Sequence, residues 1–327
     1  LKSLAPLALL AFAAFSPAAG ADDANDAKLL KGYLKEVRSG DLEIRSNAAF
    51  ELGNFPSPEA VKALINALND KDAAVRRNAA TALYNIGHPL AAPAEPALHA
   101  ALKDPDGIVR VNAADALFET VGVPPGELRP VVSVAMAASD GRTRVEAAKV
   151  WLHLKGDKRD AIIAVGGAMR DPDEQVRRDA IEIIQKMEPV PPEAEAIVRA
   201  AMKDKDENVR SSATDAFAHL DKKGAGASDQ LATFLASIKD KGFLVRLEGV
   251  EGLEKLGTAS PEVVPALIGC MKDKSSDVRS RAADALGKLK AKEALPALQQ
   301  LWKTDKDTFV HDSARRALEA LGEKVSE

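Results

Sequence analysis

The sequence predicts an all-α solenoid of about nine stacked helix pairs, and three observations carry that prediction. An arginine motif returns every 31 to 36 residues, at Arg45, Arg76, Arg110, Arg144, Arg177, Arg210, Arg246 and Arg279, with His311 in the ninth place. Around each of these positions, apolar or small residues fall at offsets −1, +3 and +7, which lie on one face of an α-helix. Period-2 β-branched runs are lacking, and prolines such as Pro56, Pro58, Pro93, Pro96, Pro124, Pro125 and Pro261 separate one motif from the next. A period this regular marks a stacked array in which each unit buries its apolar face against its neighbours.

In chain order, residues 1–21 are expected to be an export signal. Lys2 is followed by the apolar stretch Leu4 to Phe15 and by the small-residue cleavage site Ala19-Gly20-Ala21. The apolar run is short for a bilayer span, and nothing later supplies one. The chain from Asp22 is therefore expected to be exported, periplasmic or extracellular, with no membrane span. It carries 44 basic and 49 acidic residues, a net charge of −5. That balance, without a concentrated basic footprint, argues against nucleic acid as a partner. The single cysteine, Cys270, leaves no internal disulfide framework, so packing must supply the stability.

Residues 22–327 then divide into repeats at roughly 22–54, 55–88, 89–122, 123–156, 157–188, 189–222, 223–257, 258–290 and 291–327. Each motif marks the second helix of a pair. Its +3 row, Ala48, Ala79, Ala113, Ala147, Ala180, Ala213, Gly249, Ala282 and Ala314, lets a neighbouring helix come close. Its +7 row, from Leu52 and Leu83 to Leu286 and Leu318, is large and apolar. The first helix lies upstream, with a core row at −8 holding four of the five methionines: Met136, Met169, Met202 and Met271. One methionine per repeat reads as core filler rather than a thioether metal site. Cys270, beside that row, reads as a small buried residue. Gly53, Gly87, Gly257 and Gly322 are placed to close second helices.

The runs Asp70-x5-Arg76-x2-Ala79-Ala80-x2-Leu83-x3-Gly87 and Asp273-x5-Arg279-x2-Ala282-Ala283-x2-Leu286-Gly287 resemble the HEAT repeat, and more narrowly the HEAT-like repeats of the phycobilisome-lyase type. The resemblance implies a right-handed superhelix. An aspartate stands six residues before the motif position at Asp70, Asp104, Asp171, Asp204, Asp240, Asp273 and Asp305. It falls in the turn between the paired helices, where it is expected to cap the second helix and to meet an arginine. The resemblance implies a structural ladder in which Arg76, Arg110, Arg177, Arg210, Arg246 and Arg279 reach the turn of their own or the adjacent repeat. A guanidinium fork suits that role. Repeat four departs from the pattern, with Asp140 at −4 and Thr143 for valine. The longest spacing contains Asp221 to Ser228, which reads as a flexible joint.

Function is expected on the outward +2 and +5 positions of the second helices, which line the inner curve of HEAT-like stacks. These positions carry Asp115, Glu146, Asp179, Glu182, Asp215, Glu248, Glu251 and Asp284. One reading is an acidic stripe that recruits a basic segment of a protein partner. The other is an ordinary solvated face, laced by the i,i+4 pairs Glu182–Lys186, Glu251–Lys255 and Asp284–Lys288. The first three repeats instead stack Asn47, Asn78 and Asn112, an asparagine row able to bond an extended peptide, beside the aromatic candidates Phe50, Tyr84 and Phe118.

No catalytic, cofactor or metal site is expected. A di-iron hydroxylase of the HEAT-like kind needs His-Glu pairs, and the five histidines are followed by Pro89, Ala100, Leu154, Leu220 and Asp312. His153 and His219 share an offset two repeats apart, too far for one metal. A bilin lyase handles a cytoplasmic chromophore, at odds with export. The expected role is an exported, non-catalytic scaffold or adaptor. The alternative is a HEAT-like enzyme or lyase-type accessory subunit handling a cofactor or a modified partner protein.

Overall fold

A computed structural model describes residues 22–187, 189–220 and 226–325. The expected export signal lies outside the described residues, as do 221–225 of the expected flexible joint.

The described chain is all-α, with eighteen α-helices, no strand among the described residues and one isolated bridge between Val190 and Leu220. Helices alternate as first and second members of pairs: α1 (Asp22–Glu36) and α2 (Leu42–Glu51); α3 (Pro58–Ala67) and α4 (Ala73–Ile86); α5 (Glu95–Ala101) and α6 (Gly107–Val121). They continue as α7 (Pro125–Met136) and α8 (Gly141–His153); α9 (Lys158–Ala168) and α10 (Glu174–Gln185); α11 (Glu195–Ala201) and α12 (Glu207–Ala218). The last three pairs are α13 (Ala227–Ser237) and α14 (Phe243–Leu256); α15 (Val263–Cys270) and α16 (Ser276–Lys288); α17 (Leu295–Thr304) and α18 (Thr308–Ala320). The chain forms two compact units, one ending at Pro124 and holding α1–α6, the other starting at Pro125 and holding α7–α18. Within the first, α2 packs on α4 and α4 on α6. Within the second, α8, α10, α12, α14, α16 and α18 pack in succession. No described helix is long and apolar enough to cross a membrane.

The recurring offsets become the core. All eight alanines of the +3 row are fully buried, and at the ninth place a Cβ on Gly249 would come within 2.8 Å of the Ile238 backbone nitrogen. Leu52, Leu83, Leu117, Ile184, Phe217, Leu253 and Leu286 are fully buried at +7. Trp151 is only half-buried there, because its indole Nε1 donates to the Asp157 carbonyl at 3.0 Å. Burying a side chain of this size is worth about 1.5–3 kcal/mol, repeated once per helix pair. Met136, Met169 and Met202 pack against the core and Met271 is 4% exposed. Ile44 breaks the −1 row at 45% exposure, since the first pair has no neighbour ahead of it among the described residues.

The helix caps correct the sequence reading. The N-cap side chain sits at −4, not −6: Asp41, Asp72, Asp106, Asp140, Asp173, Asp206 and Asp307 each accept an N–H from the turn they open. The reason is geometric, for the −4 residue is the last extended one and its carboxylate overhangs the free amides. The −6 aspartate instead accepts the N–H of that cap residue, as Asp70 does from Asp72 at 2.9 Å and Asp204 from Asp206 at 2.9 Å. Gly87 and Gly257 close α4 and α14 at φ 67° and 73°, where a side chain is strained. Gly53 is different. It lies in a 3-10 turn and is small because Ala82 crosses it, whereas Gly122, not anticipated, is the left-handed cap of α6.

Candidate interaction surface

The second helices are locked in register by a seam of arginines. Each intact junction has the same three arms. The Nη1 group donates to the carbonyl six residues upstream in its own turn, as Arg177 does to Asp171 at 2.8 Å and Arg246 to Asp240 at 3.0 Å. The Nε and Nη2 groups then take both oxygens of the aspartate in the following turn. This fork joins Arg45 to Asp70, Arg76 to Asp104, Arg177 to Asp204, Arg210 to Asp240, Arg246 to Asp273 and Arg279 to Asp305, with donor–acceptor distances of 2.7–3.2 Å. Each arginine therefore reaches its own turn and the next one at once.

Electrostatics agree with the geometry. Burial raises the carboxyls of Asp70, Asp204, Asp240 and Asp273, but the arginine bond, the cap-residue amide and the guanidinium charge outweigh it, and all four lie below the ordinary value. Asp305 is lowered chiefly by the bond from Arg279. Arg177, Arg210 and Arg246 are each 4% exposed, so these are close charge-assisted forks rather than surface contacts.

Two expected rungs differ. Arg110 donates to its own turn, to the Asp104 carbonyl at 2.7 Å and the Pro105 carbonyl at 3.1 Å, and the sequence has alanine, Ala138, six residues before the next motif position. Asp171 receives no arginine: its oxygens accept from the N–H groups of Gly141 (3.2 Å) and Asp173 (3.0 Å). Arg144 turns to the carbonyls of Ala138, Ser139 and Gly167, and its Nε is buried without a partner.

On the outward positions the structure places most candidate carboxylates beside a cation or donor. In the second unit Glu146 meets Lys149 at 3.1 Å, Asp179 accepts from Gln175 at 2.7 Å, and Glu182 lies 3.9 Å from Lys186. Asp215 accepts from Gln185 and lies 3.9 Å from Lys255. Glu251 meets Arg281 at 3.0 Å and Asp284 meets Arg316 at 3.1 Å, both across repeats. Glu248 stands apart. Burial first, then the charges of Asp215 and Glu251, push it up to about 7. In the first unit Asp115, on α6, and Glu119 raise the Tyr84 phenol, after burial as the main cause. The neutral residues there stitch helices: Asn78 Nδ2 donates to Ser46 at 2.8 Å and Asn112 Nδ2 to Thr81 at 2.9 Å. Phe50 is 46% exposed. Arg281 at +2 and Arg316 at +5 of their own repeats, which the sequence reading does not single out, neutralise acids that stand at +5 of the repeat before.

Among the described residues no group of three or more His, Cys, Asp or Glu side chains is placed to hold a metal ion. Cys270 is buried, and desolvation pushes its thiol up to about 11, so it stays protonated and unreactive.

The pattern of the HEAT-repeat family matches residues 29–94, 164–254 and 231–319. The chain belongs to the HEAT-repeat family. No curated protein is found to match it. Among solved structures, this HEAT-repeat chain is similar to the Escherichia coli protein YibA, at 18% identity and a TM-score of 0.58 over 88% of this chain and 99% of that one. It is similar to a mutant of Kap121p at 14% identity and a TM-score of 0.50, covering 90% of this chain and 37% of that chain. Human deoxyhypusine hydroxylase matches at 19% identity and a TM-score of 0.34, covering 92% and 98%. At such identities these likenesses concern the fold alone. The HEAT repeats point to protein interaction as the general role.

Proposed function

We propose that this HEAT-repeat chain is a non-catalytic scaffold that holds a protein partner along the face lined by its second helices. The seam supports this reading: six bidentate forks hold successive second helices at one register, so outward side chains recur once per repeat on a stiff support. In the second unit the candidate contacts are Glu146, Asp179, Glu182, Asp215, Glu248, Glu251 and Asp284; in the first they are Asp115 and Phe50. A partner segment rich in lysine or arginine would exchange the weak pairs on Glu146 and Glu182 for its own cations.

The apolar and charge pattern of residues 1–21 supports an exported setting, with the partner in the same compartment. N-terminal sequencing of the protein from its native source would find Asp22 first, and an intact residue 1–21 segment would contradict export. For the partner, crosslinked capture from the native envelope fraction is compared between wild type and a Glu182→Lys, Asp215→Lys, Glu251→Lys variant at low and high salt. Loss of capture in the variant, and salt sensitivity in wild type, is expected. Equal capture that ignores salt would remove the acidic face from the account. Stoichiometric metal or chromophore in the purified protein would favour an enzyme or accessory subunit instead.

A further inference from the structure

We infer that the turns opening α12, α14, α16 and α18 form a peripheral docking edge for an anionic lipid bilayer. Paired lysines meet the headgroups there, and Phe309 reaches past them. The inference needs no protein partner, so it stands or falls separately from the proposed scaffold role.

The forks place these turns side by side. Arg210 joins the Asp204 carbonyl to the Asp240 carboxylate, Arg246 joins Asp240 to Asp273, and Arg279 joins Asp273 to Asp305. Lysines flank the fork aspartate in every turn: Lys203 and Lys205 before α12, Lys239 and Lys241 before α14. Lys272 and Lys274 do so before α16, and Lys303 and Lys306 before α18. All eight are exposed. Among the described residues the lysines engaged in ion pairs are Lys149, Lys186, Lys255 and Lys288, toward the far ends of second helices. The eight on the turns keep their charge for something outside the chain.

The fork aspartates do not cancel that charge, because each is already neutralised by its arginine. The acids left over on the edge are Asp206, Glu207, Asp277 and Asp307, half as many as the lysines. Three of those accept main-chain amides, Asp206 and Asp307 as helix caps and Glu207 from Leu244. A positive strip therefore lies on a chain whose net charge is −4, and composition conceals it by counting the fork aspartates against the lysines. The doubling is local. Around Asp70, Asp104 and Asp171 the flanking residues are Asn69 and Lys71, Lys103 and Pro105, and Arg170 and Pro172, one cation per turn.

Two features select a bilayer over a soluble polyanion. Phe309, 78% exposed, and Phe243, 39% exposed, lie in the first turns of α18 and α14. Side chains there tilt back toward the helix start, and so toward the lysines. An exposed apolar ring beside unpaired cations suits the membrane interface, where apolar burial and attraction to anionic lipid add. All eight cations are also lysines, flexible point charges that suit a mobile sheet of headgroups, whereas fixed phosphate recognition favours the guanidinium fork.

The test sediments the full chain with vesicles of phosphatidylcholine, and with vesicles of equimolar phosphatidylcholine and phosphatidylglycerol. Binding to the anionic vesicles alone, lost as salt rises, is expected. Lys205→Gln, Lys241→Gln, Lys274→Gln and Lys306→Gln together should weaken it by at least about tenfold. Lys149→Gln, Lys186→Gln, Lys255→Gln and Lys288→Gln together remove the same charge elsewhere and should leave it unchanged. Phe309→Trp should add an indole emission that shifts to the blue on the anionic vesicles, beyond any shift of the wild-type chain. Equal weakening in the two lysine variants, no added emission shift, or binding to inorganic polyphosphate with none to the vesicles would overturn the inference.

Discussion

The α10/α12 junction and the α8/α10 junction have the same ingredients and different chemistry. At the first, Arg177 forks onto Asp204 at 2.8 and 2.9 Å, buried and doubly bonded. At the second, Arg144 and Asp171 occupy equivalent places in the sequence, yet the carboxylate leans over the start of α8 and accepts from the Gly141 amide. Glycine permits this, since a Cβ at 141 would collide with the Asp171 carboxylate and with Val176. An arginine and an aspartate at the right offsets are therefore not sufficient for a rung. The carboxylate takes whichever donor it can approach, and a missing methyl group at the neighbouring helix start decides the outcome.

That contrast can be broken, beginning with the largest expected effect. Asp204→Ala strands a buried guanidinium and should cost about 3 kcal/mol in chemical denaturation of the full chain, the lower end for a broken buried pair. A cost near zero would mean the fork is ornamental. Acid should act on the same side of the comparison. The Asp204, Asp240, Asp273 and Asp305 carboxyls lie below their ordinary 3.8, so the unfolded chain takes up their protons first. Their contribution is complete above about pH 4 and is lost as pH falls through the lowered values. Asp204→Asn should flatten that acid limb, and an unchanged profile would count against the seam as its source. Gly141→Ala, which overfills the second junction, should destabilise by about 1–3 kcal/mol. Asp171→Ala removes only amide bonds and should cost about 1 kcal/mol, clearly less than its Asp204 counterpart. Equal costs for the two alanine variants would erase the distinction between the junctions.

Much of the fold was legible because it is repeated. A single Val-Arg-x-x-Ala would be weak, but nine motif positions with alanine or glycine at +3 force one helix per period, and the buried rows follow directly from 3.6 residues per turn. The caps were legible only approximately. Both Asp70 and Asp72 stand in the same turn, and composition cannot tell which one overhangs the amides. The outward face differs in its partners: along the chain Glu251 and Asp284 read as an acidic stripe or as i,i+4 partners of Lys255 and Lys288, while Arg281 and Arg316, some thirty residues on, neutralise them through space. Asn78 and Asn112 read as peptide ligands and are spent bonding the helix before them.

By itself the sequence determined the period, the helix pairs, the core rows and the family, because local periodicity and side-chain size are properties of neighbours along one chain. Only the tertiary structure decided the direction of the seam, with each arginine serving its own turn and the next aspartate, and which rungs fail. It also decided which carboxylates are neutralised. Those outcomes depend on competition among donors and acceptors brought within about 3 Å by stacking, and hydrogen bonds are made or lost over distances that residue spacing does not encode.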